Sequence, residues 1–445
     1  MPALNIRVRN LATLTADEAY TFKRRAQANI EEVLPRVTEM VANVKQHGDA
    51  GLLPYVKEFD FVGPKAKFTG LQVTPKEFAT AIKSLTPEVK RAIDAAYSNI
   101  QAFHEKQLPE PIWFAELQPG VFAGEKISPV GRVACYVPGG KGYFPSVMLM
   151  LGIPAKVAAV PSICVCTPPN AEGRADSGVL YAAHLCGITE VYKMAGAHAI
   201  AALAYGTESV KHVDKIVGPG SIYATAAKRL VSGVVDVGVP AGPSESIILC
   251  DETADPLIAG LDLLIEAEHG NDSAAILVTH DQKLAQAAMK AIKTFVPKVP
   301  EPRQTYIKTV LGNYGGVLLT KSWEESCEFV NEYAPEHLEI LCKDPFLALS
   351  RIRNAGEILL GPYTPISISN YCLGLNAILP TGRFARSFSA VTVHDFLKRA
   401  GIGYLDSRGY DALSGHTATL ADYEGFPSHA MAIRERDKIW KSKRP

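Results

Sequence analysis

No uninterrupted apolar stretch in this sequence is long enough to span a bilayer. The first residues, MPALNIRVRN, hold no apolar leader core. A membrane partner is therefore not expected. Neither sign of charge is in excess, because Lys and Arg number 46 and Asp and Glu number 46. That balance gives no electrostatic reason to expect nucleic acid or an anionic lipid surface as a partner. Cysteine pairs at metal or redox spacing are also missing. The eight cysteines are scattered, with no Cys-x-x-Cys. The one close pair, Cys164 and Cys166, sits in an apolar run between prolines, where strand spacing turns both thiols to one buried face. Reduced thiols and a cytoplasmic location are the expectation.

The usual nucleotide signatures fail as well. GPGSIY (218–223) keeps the first two glycines of G-x-G-x-x-G but has Tyr223 at the third. GKGYFP (140–145) has Pro145 there, and a P-loop fails because Cys135 stands where its first glycine belongs. Tight turns at strand ends are the plainer reading of these glycines. They would still let a backbone approach a phosphate, with the helix start after Gly220 facing the anion.

What is present is an α/β pattern. A chain of 445 residues is too long for one ordinary core. Hydrophobic residues at 47% and charged residues at 21% mark it as globular. Residues 1–130 read as mainly helical. EEVLPRVTEMVANVKQHGD has helical spacing and ends at Gly48. TPEVKRAIDAAYSNIQAFHEKQ repeats the pattern, with Thr86 as N-cap and Pro87 at the first helical position. From Gly131, short apolar runs (RVACYV, SICVC, VYKMAG, KIVGPG) alternate with helical stretches. From Ser246 a second series follows (SIILC, AAILVTH, GGVLLTK, HLEILCK, EILLG). This alternation predicts parallel strands with crossover helices, in units of about 131–245 and 246–390. The tail from about Val391 reads as helical and more polar.

Four segments carry candidate chemistry. In Glu266-Ala-Glu-His269-Gly, a carboxylate and an imidazole three apart near a helix end can face one metal. The alternative is an acidic helix face closed by a histidine that the dipole favours. In Tyr333-Ala-Pro-Glu336-His337-Leu, a carboxylate and an imidazole stand side by side just before a strand. Such a pair can activate water and accept a proton, or simply be a solvated strand entry. The segments 370–377 (NYCLGLNA) and 424–429 (EGFPSH) say little alone.

Together and in order, these segments resemble the histidinol dehydrogenase family. The resemblance runs from about Val133 to His429 and rests on YVPGG (136–140), AIAALAYGTESV (199–210), VDKIVGPG (213–220), PAGPSE (240–245), AEHG (267–270), YAPEHLEI (333–340) and LPT (379–381). It implies two incomplete Rossmann-like domains that lack the common fingerprint. The implied layout is an N-terminal segment at 1–26, a first domain from 27–130 with 246–390, a second from 131–245, and a tail at 391–445 exchanged in a homodimer. The implied reaction oxidises a primary alcohol through a bound aldehyde to a carboxylate, with two NAD. His337 would be the base for the alcohol, and Glu336 would activate water. Ser244 and Glu424 match substrate contacts, Tyr136 a nucleotide contact, and His269 and His429 zinc ligands, with one Zn2+ per subunit.

The departures from the family are specific. The two other zinc positions, Gln and Asp in the family, are here Glu266 and Asn370. The set keeps two imidazoles, one carboxylate and one amide, so its charge is unchanged. Two nucleotide contacts change, from Gln to His198 and from Asn to Ser221. Ala377 replaces a pocket histidine, and Lys141 replaces a small residue and is a candidate substrate contact. The substrate is thus expected to be histidinol-like or another small polar alcohol, with histidinol itself as the alternative. Lys141, Arg383 and Arg386 either mark an acidic or strongly polar group remote from the reacting carbon or are solvated surface charges. A zinc hydrolase and a non-catalytic metal- or ligand-binding paralogue are the rival readings.

Overall fold

The computed structural model describes residues 6–24, 30–140 and 142–442. In chain order its strands are β1 (Val8–Asn10), β2 (Ile112–Gln118), β3 (Val121–Pro129), β4 (Arg132–Tyr136), β5 (Ser162–Thr167), β6 (Glu190–Lys193), β7 (Lys215–Val217), β8 (Glu245–Cys250), β9 (Ala274–Thr279), β10 (Gly316–Leu319), β11 (His337–Leu341), β12 (Glu357–Leu360) and β13 (Leu397–Leu405). They form a six-stranded sheet in the order β1-β10-β9-β8-β11-β12, a four-stranded sheet β6-β5-β4-β7, and a three-stranded sheet β13-β3-β2. Every ladder in the first two sheets is parallel.

The central strands of the six-stranded sheet are buried on both faces, which is why they read as unbroken apolar runs. Their side chains alternate between two helix layers. Ile248, Cys250 and Leu277 pack with the helices Pro256–Ala267 and Gln282–Phe295. Ile247, Leu249, Ile276, Val278, Leu338 and Ile340 pack with Phe329, Val330 and Tyr333 of the helix Trp323–Tyr333. Removing one such leucine side chain costs about 2–5 kcal/mol. The pair Cys164 and Cys166 is buried in the core on one face of the four-stranded sheet, and the cysteines are free.

The chain divides into two units: Met1–Leu108 with Val130–Phe396, and Pro109–Pro129 with Leu397–Pro445. Both parallel sheets belong to the first. Two expectations change here, and a third gains detail. Residues 37–71, grouped by sequence with the larger sheet, pack on the four-stranded one, because Val37, Met40, Val41 and Val44 of the helix Ile30–His47 meet Ala134, Tyr136 and Cys166. Residues 1–130 are mainly helical, as expected, up to the hairpin that closes them. Pro109 and Pro111 follow the helix Pro87–Glu105, and a Pro119-Gly120 turn then pairs β2 with β3. The tail does not begin as a helix, since β13 pairs antiparallel with β3 before the helices Ser407–Tyr423 and Pro427–Lys441.

The second unit is small and leaves apolar surface open. Ile112, Trp113, Phe114 and Leu117 on β2 are exposed, as are Leu420, Tyr423, Phe426 and Met431 farther along. Its turn is tightly made. A Cβ on Gly120, whose φ is +79°, would stand 2.0 Å from the Asp406 carboxylate that caps the helix Ser407–Tyr423. Among the described residues no helix is long and apolar enough to cross a membrane.

Candidate active site

A cleft of about 1430 Å³ opens within the first unit, between its two parallel sheets. The four-stranded sheet contributes its carboxyl edge: Tyr136 ends β4, Ala195–His198 follow β6, and Gly218–Ser221 follow β7. The six-stranded sheet contributes its amino edge, where Glu245 opens β8, His337 opens β11 and Glu357 opens β12.

Strand register builds the acid–base cluster. In the parallel ladders His337 stands opposite Ser246 on one side and Glu357 on the other. Its Nδ1 lies 2.6 Å from a Glu357 oxygen, and Ser369 donates to the other Glu357 oxygen at 2.6 Å. This bond fixes the ring, so that Nε2 faces Glu336 at 3.8 Å and Glu266 at 3.9 Å. Glu336 accepts a hydrogen bond from the Glu245 backbone N–H at 2.8 Å. All four of these ionisable groups are buried. Burial disfavours charge on His337, but Glu266, Glu336 and Glu357 outweigh it and raise its pKa to about 10. Burial pushes the Glu336 carboxyl well above the carboxylate range. His337 opposes that rise, Glu266 adds to it, and the Glu245 backbone N–H opposes it. With only protein groups around it the pair is therefore held protonated, beside a cavity that a small molecule can enter.

A cation fits beside them. Donor atoms of Glu266, Glu336 and His337 lie within 4.8 Å of one another. Glu266 ends the helix Pro256–Ala267, and His269 follows one turn later with Nδ1 3.3 Å from its carboxylate. Asn370, on the helix Ile366–Tyr371, donates to the same carboxylate at 2.9 Å. Burial works against charge on Glu266, yet His269, His337 and the bonds from Asn370 and Ser244 hold its pKa below the usual range. The structure thus keeps a buried carboxylate ionised among nitrogen and oxygen donors, a donor set that suits zinc. Three helix C-termini also end here, those of Pro256–Ala267, Trp323–Tyr333 and Ile366–Tyr371, and their dipoles favour positive charge.

The opposite wall is made of backbone. A Cβ on Gly218 (φ +125°) would stand 2.1 Å from the Tyr136 carbonyl oxygen, and one on Gly220 would stand 2.7 Å from the Ala224 methyl. Ser221 caps the helix Ile222–Val231. The Gly196 N–H donates to the Tyr136 hydroxyl at 2.9 Å, and His198 Nε2 lies 2.9 Å from Asp60. This is a bare, glycine-lined cradle at helix N-termini, where anionic groups are favoured.

The sequence-chosen residues Glu266, His269, Glu336, His337, Asn370, Ser244, Tyr136, His198, Ser221 and Ala377 all line this cleft. Lys141 lies outside the described residues. Glu424 and His429 belong to the second unit and are exposed. Arg383 and Arg386 are exposed and do not line the cleft, which removes two of the three cations behind the expected acidic substrate. Sequence reasoning missed Glu357, Asp60, Glu245 and Arg303. A glutamate opening an apolar strand, as in Glu357-Ile-Leu-Leu, was a readable sign of a buried partner.

Comparisons with known proteins point to one family. A family model described as histidinol dehydrogenase matches residues 23–437. A histidinol dehydrogenase from Synechocystis sp. is 53% identical over 433 residues, covering 97% of this chain and 99% of the relative. A "histidinol dehydrogenase homolog" from Cereibacter sphaeroides is 49% identical, covering 95% of this chain and 96% of the relative. The crystal structure of histidinol dehydrogenase from Elizabethkingia anophelis superposes with a TM-score of 0.92 at 32% identity, covering 99% of both chains.

Proposed function

This chain belongs to the histidinol dehydrogenase family, and from that premise we propose that its cleft oxidises a small amino alcohol to the carboxylate in two NAD-dependent steps. The family performs a two-step NAD-dependent oxidation of an alcohol, through an aldehyde, to an acid. The observation that carries the reading is the buried Glu336–His337 pair, facing a glycine cradle across one cavity.

When bound, NAD accepts the hydride at each oxidation, and zinc polarises the substrate oxygen. Glu266, His269 and Asn370 would hold the zinc, with His429 of the partner subunit as a fourth ligand. Tyr136, His198, Ser221 and the Gly218–Gly220 turn would meet the dinucleotide. Positive charge bound beside Glu266 would offset the carboxylates that hold the His337 proton, and the neutral ring then takes the hydroxyl proton in the first step as hydride leaves the carbon, with Glu357 steadying the imidazolium that forms. In the second step Glu336, ionised when the same positive charge is in place, takes a proton from the water that adds to the aldehyde. Oxidation of that hydrate gives the acid, so the two steps together remove four electrons and consume one water.

Electrostatics favours an amino alcohol. The cleft lining carries Asp60, Glu245, Glu266, Glu268 and Asp272 against two arginines, Arg36 and Arg303. An ammonium-bearing alcohol such as L-histidinol suits that field, and Ser244 with Glu424 of the partner subunit are the proposed contacts. A second reading rests on Ala377. Its methyl lines the cleft where the family places an imidazole, which leaves room for another polar alcohol. The exposed apolar surface of the second unit fits a homodimer with exchanged tails, since monomers rarely leave such patches uncovered.

The test is a panel of amino alcohols and polyols, scored by NADH formation with wild type and Glu336→Gln. The expected outcome is two NADH per L-histidinol in wild type. In the variant, aldehyde oxidation should fall about 100-fold or more, and alcohol oxidation less. Equal losses in both steps would remove the division of labour, and no NADH from any alcohol would sink the dehydrogenase reading. Mixing inactive His337 and His429 variants should restore some activity if tails are exchanged.

A further inference from the structure

Behind the glycine cradle lies a buried cation that the reaction as described does not use. Lys228 sits on the helix Ile222–Val231, two turns after Ser221, and is buried. Its Nζ reaches back to donate to the Gly218 carbonyl at 2.6 Å. The nearest opposite charge is Asp236, itself held by Lys215 at 2.9 Å. Keeping an ammonium in this position is unfavourable, and burial brings its pKa down to about 8.

The carbonyl it holds belongs to the tightest turn in the cleft. Gly218 is pressed against the Tyr136 carbonyl and Gly220 against Ala224, so the turn has no slack on the protein side. Pro219, Gly220 and Ser221 form its cavity side. Gly218 has φ +125° and its peptide is free of side-chain constraint, so an outside bond has to fix the direction of its carbonyl. Lys228 supplies that bond, and a charged donor makes it stronger than a neutral one.

We propose that Lys228 is a positioning residue for the cofactor, whose ammonium locks the Gly218–Ser221 turn in the shape that receives the dinucleotide. The inference rests on the reading that this wall of the cleft is the nucleotide wall. It makes Lys228 a brace that acts through the backbone and touches no ligand itself.

The experiment titrates NADH into the whole purified protein by calorimetry, comparing wild type, Lys228→Met and Lys228→Arg, with L-histidinol titrated separately and melting temperatures recorded. Lys228→Met should weaken NADH by about tenfold, the usual worth of a charge-assisted bond. Lys228→Arg should recover most of that loss, and L-histidinol affinity should change by less than about twofold. Should Lys228→Met fail to fold, Lys228→Gln carries the same comparison. A lower melting temperature with NADH affinity unchanged would overturn the proposal, leaving Lys228 as a brace of the fold alone. A wild-type protein that binds no NADH would instead overturn the nucleotide reading on which it rests. A loss confined to L-histidinol would overturn both.

Discussion

The two parallel sheets of the first unit are built alike and used at opposite ends. The four-stranded sheet meets the cleft with its carboxyl edge, where strands run into helix N-termini at Gly196 and Ser221. The six-stranded sheet meets it with its amino edge, where the helices ending at Ala267 and Tyr333 deliver Glu266, Glu336 and His337. Ligands of open parallel sheets usually gather at carboxyl edges, so the larger sheet departs from the rule. The difference has an electrostatic sense. Helix N-termini favour anions and helix C-termini favour cations, so one wall suits phosphates and the other suits a metal ion and an imidazolium. Backbone does the work on the first wall, and ionisable side chains do it on the second.

The most severe test of the contrast is to remove the base from the cationic wall alone. His337→Asn should lower both oxidations about 100-fold or more, while NADH binding, measured by calorimetry, stays within about twofold. If NADH binding fell with activity, the walls would not be separable.

Glu357→Gln sharpens the account of the cationic wall. It removes the group that orients the His337 ring, and activity should drop about tenfold, as for other groups that orient a reactive histidine. It also removes one of the carboxylates that raise the pKa of His337. The folded protein holds that proton to about pH 10, whereas the free side chain releases it near 6.5. Stability from this proton is therefore complete below pH 6.5 and is lost as pH rises through 10. In metal-free protein Glu357→Gln should move that loss to lower pH, as read by urea unfolding at a series of pH values. An unshifted curve would mean Glu357 does not hold the proton.

Gly218→Ala addresses the other wall. A left-handed alanine costs about 1–3 kcal/mol in strain, and its methyl would collide with the Tyr136 carbonyl. NADH affinity should fall by about tenfold while zinc content, by elemental analysis, stays unchanged. Smallest of all, Ala377→His returns an imidazole to the cleft. It should alter the ratio of kcat/KM between L-histidinol and other alcohols by a few-fold to tenfold, the range for one pocket contact. An unaltered ratio would remove Ala377 from substrate choice.

The strands of the two parallel sheets were legible in the sequence. Buried parallel strands between helices demand unbroken apolar runs, and SIILC, AAILVT and HLEIL could be read from composition alone. It also marked Glu266, His269, Glu336 and His337, because acids and imidazoles at strand and helix ends stand out against apolar surroundings. The hairpin β2–β3 was hidden, since a strand exposed along its whole length shows no burial pattern. Packing alone set which edge of each sheet faces the cleft, and which distant residue each marked residue meets. His337 finds Glu357 through strand register, and Lys228 finds Gly218 because a helix folds back on the turn that precedes it. Spacing along a chain fixes the faces of single elements. The pairing of elements depends on how their apolar faces close together, and no local signal carries that information.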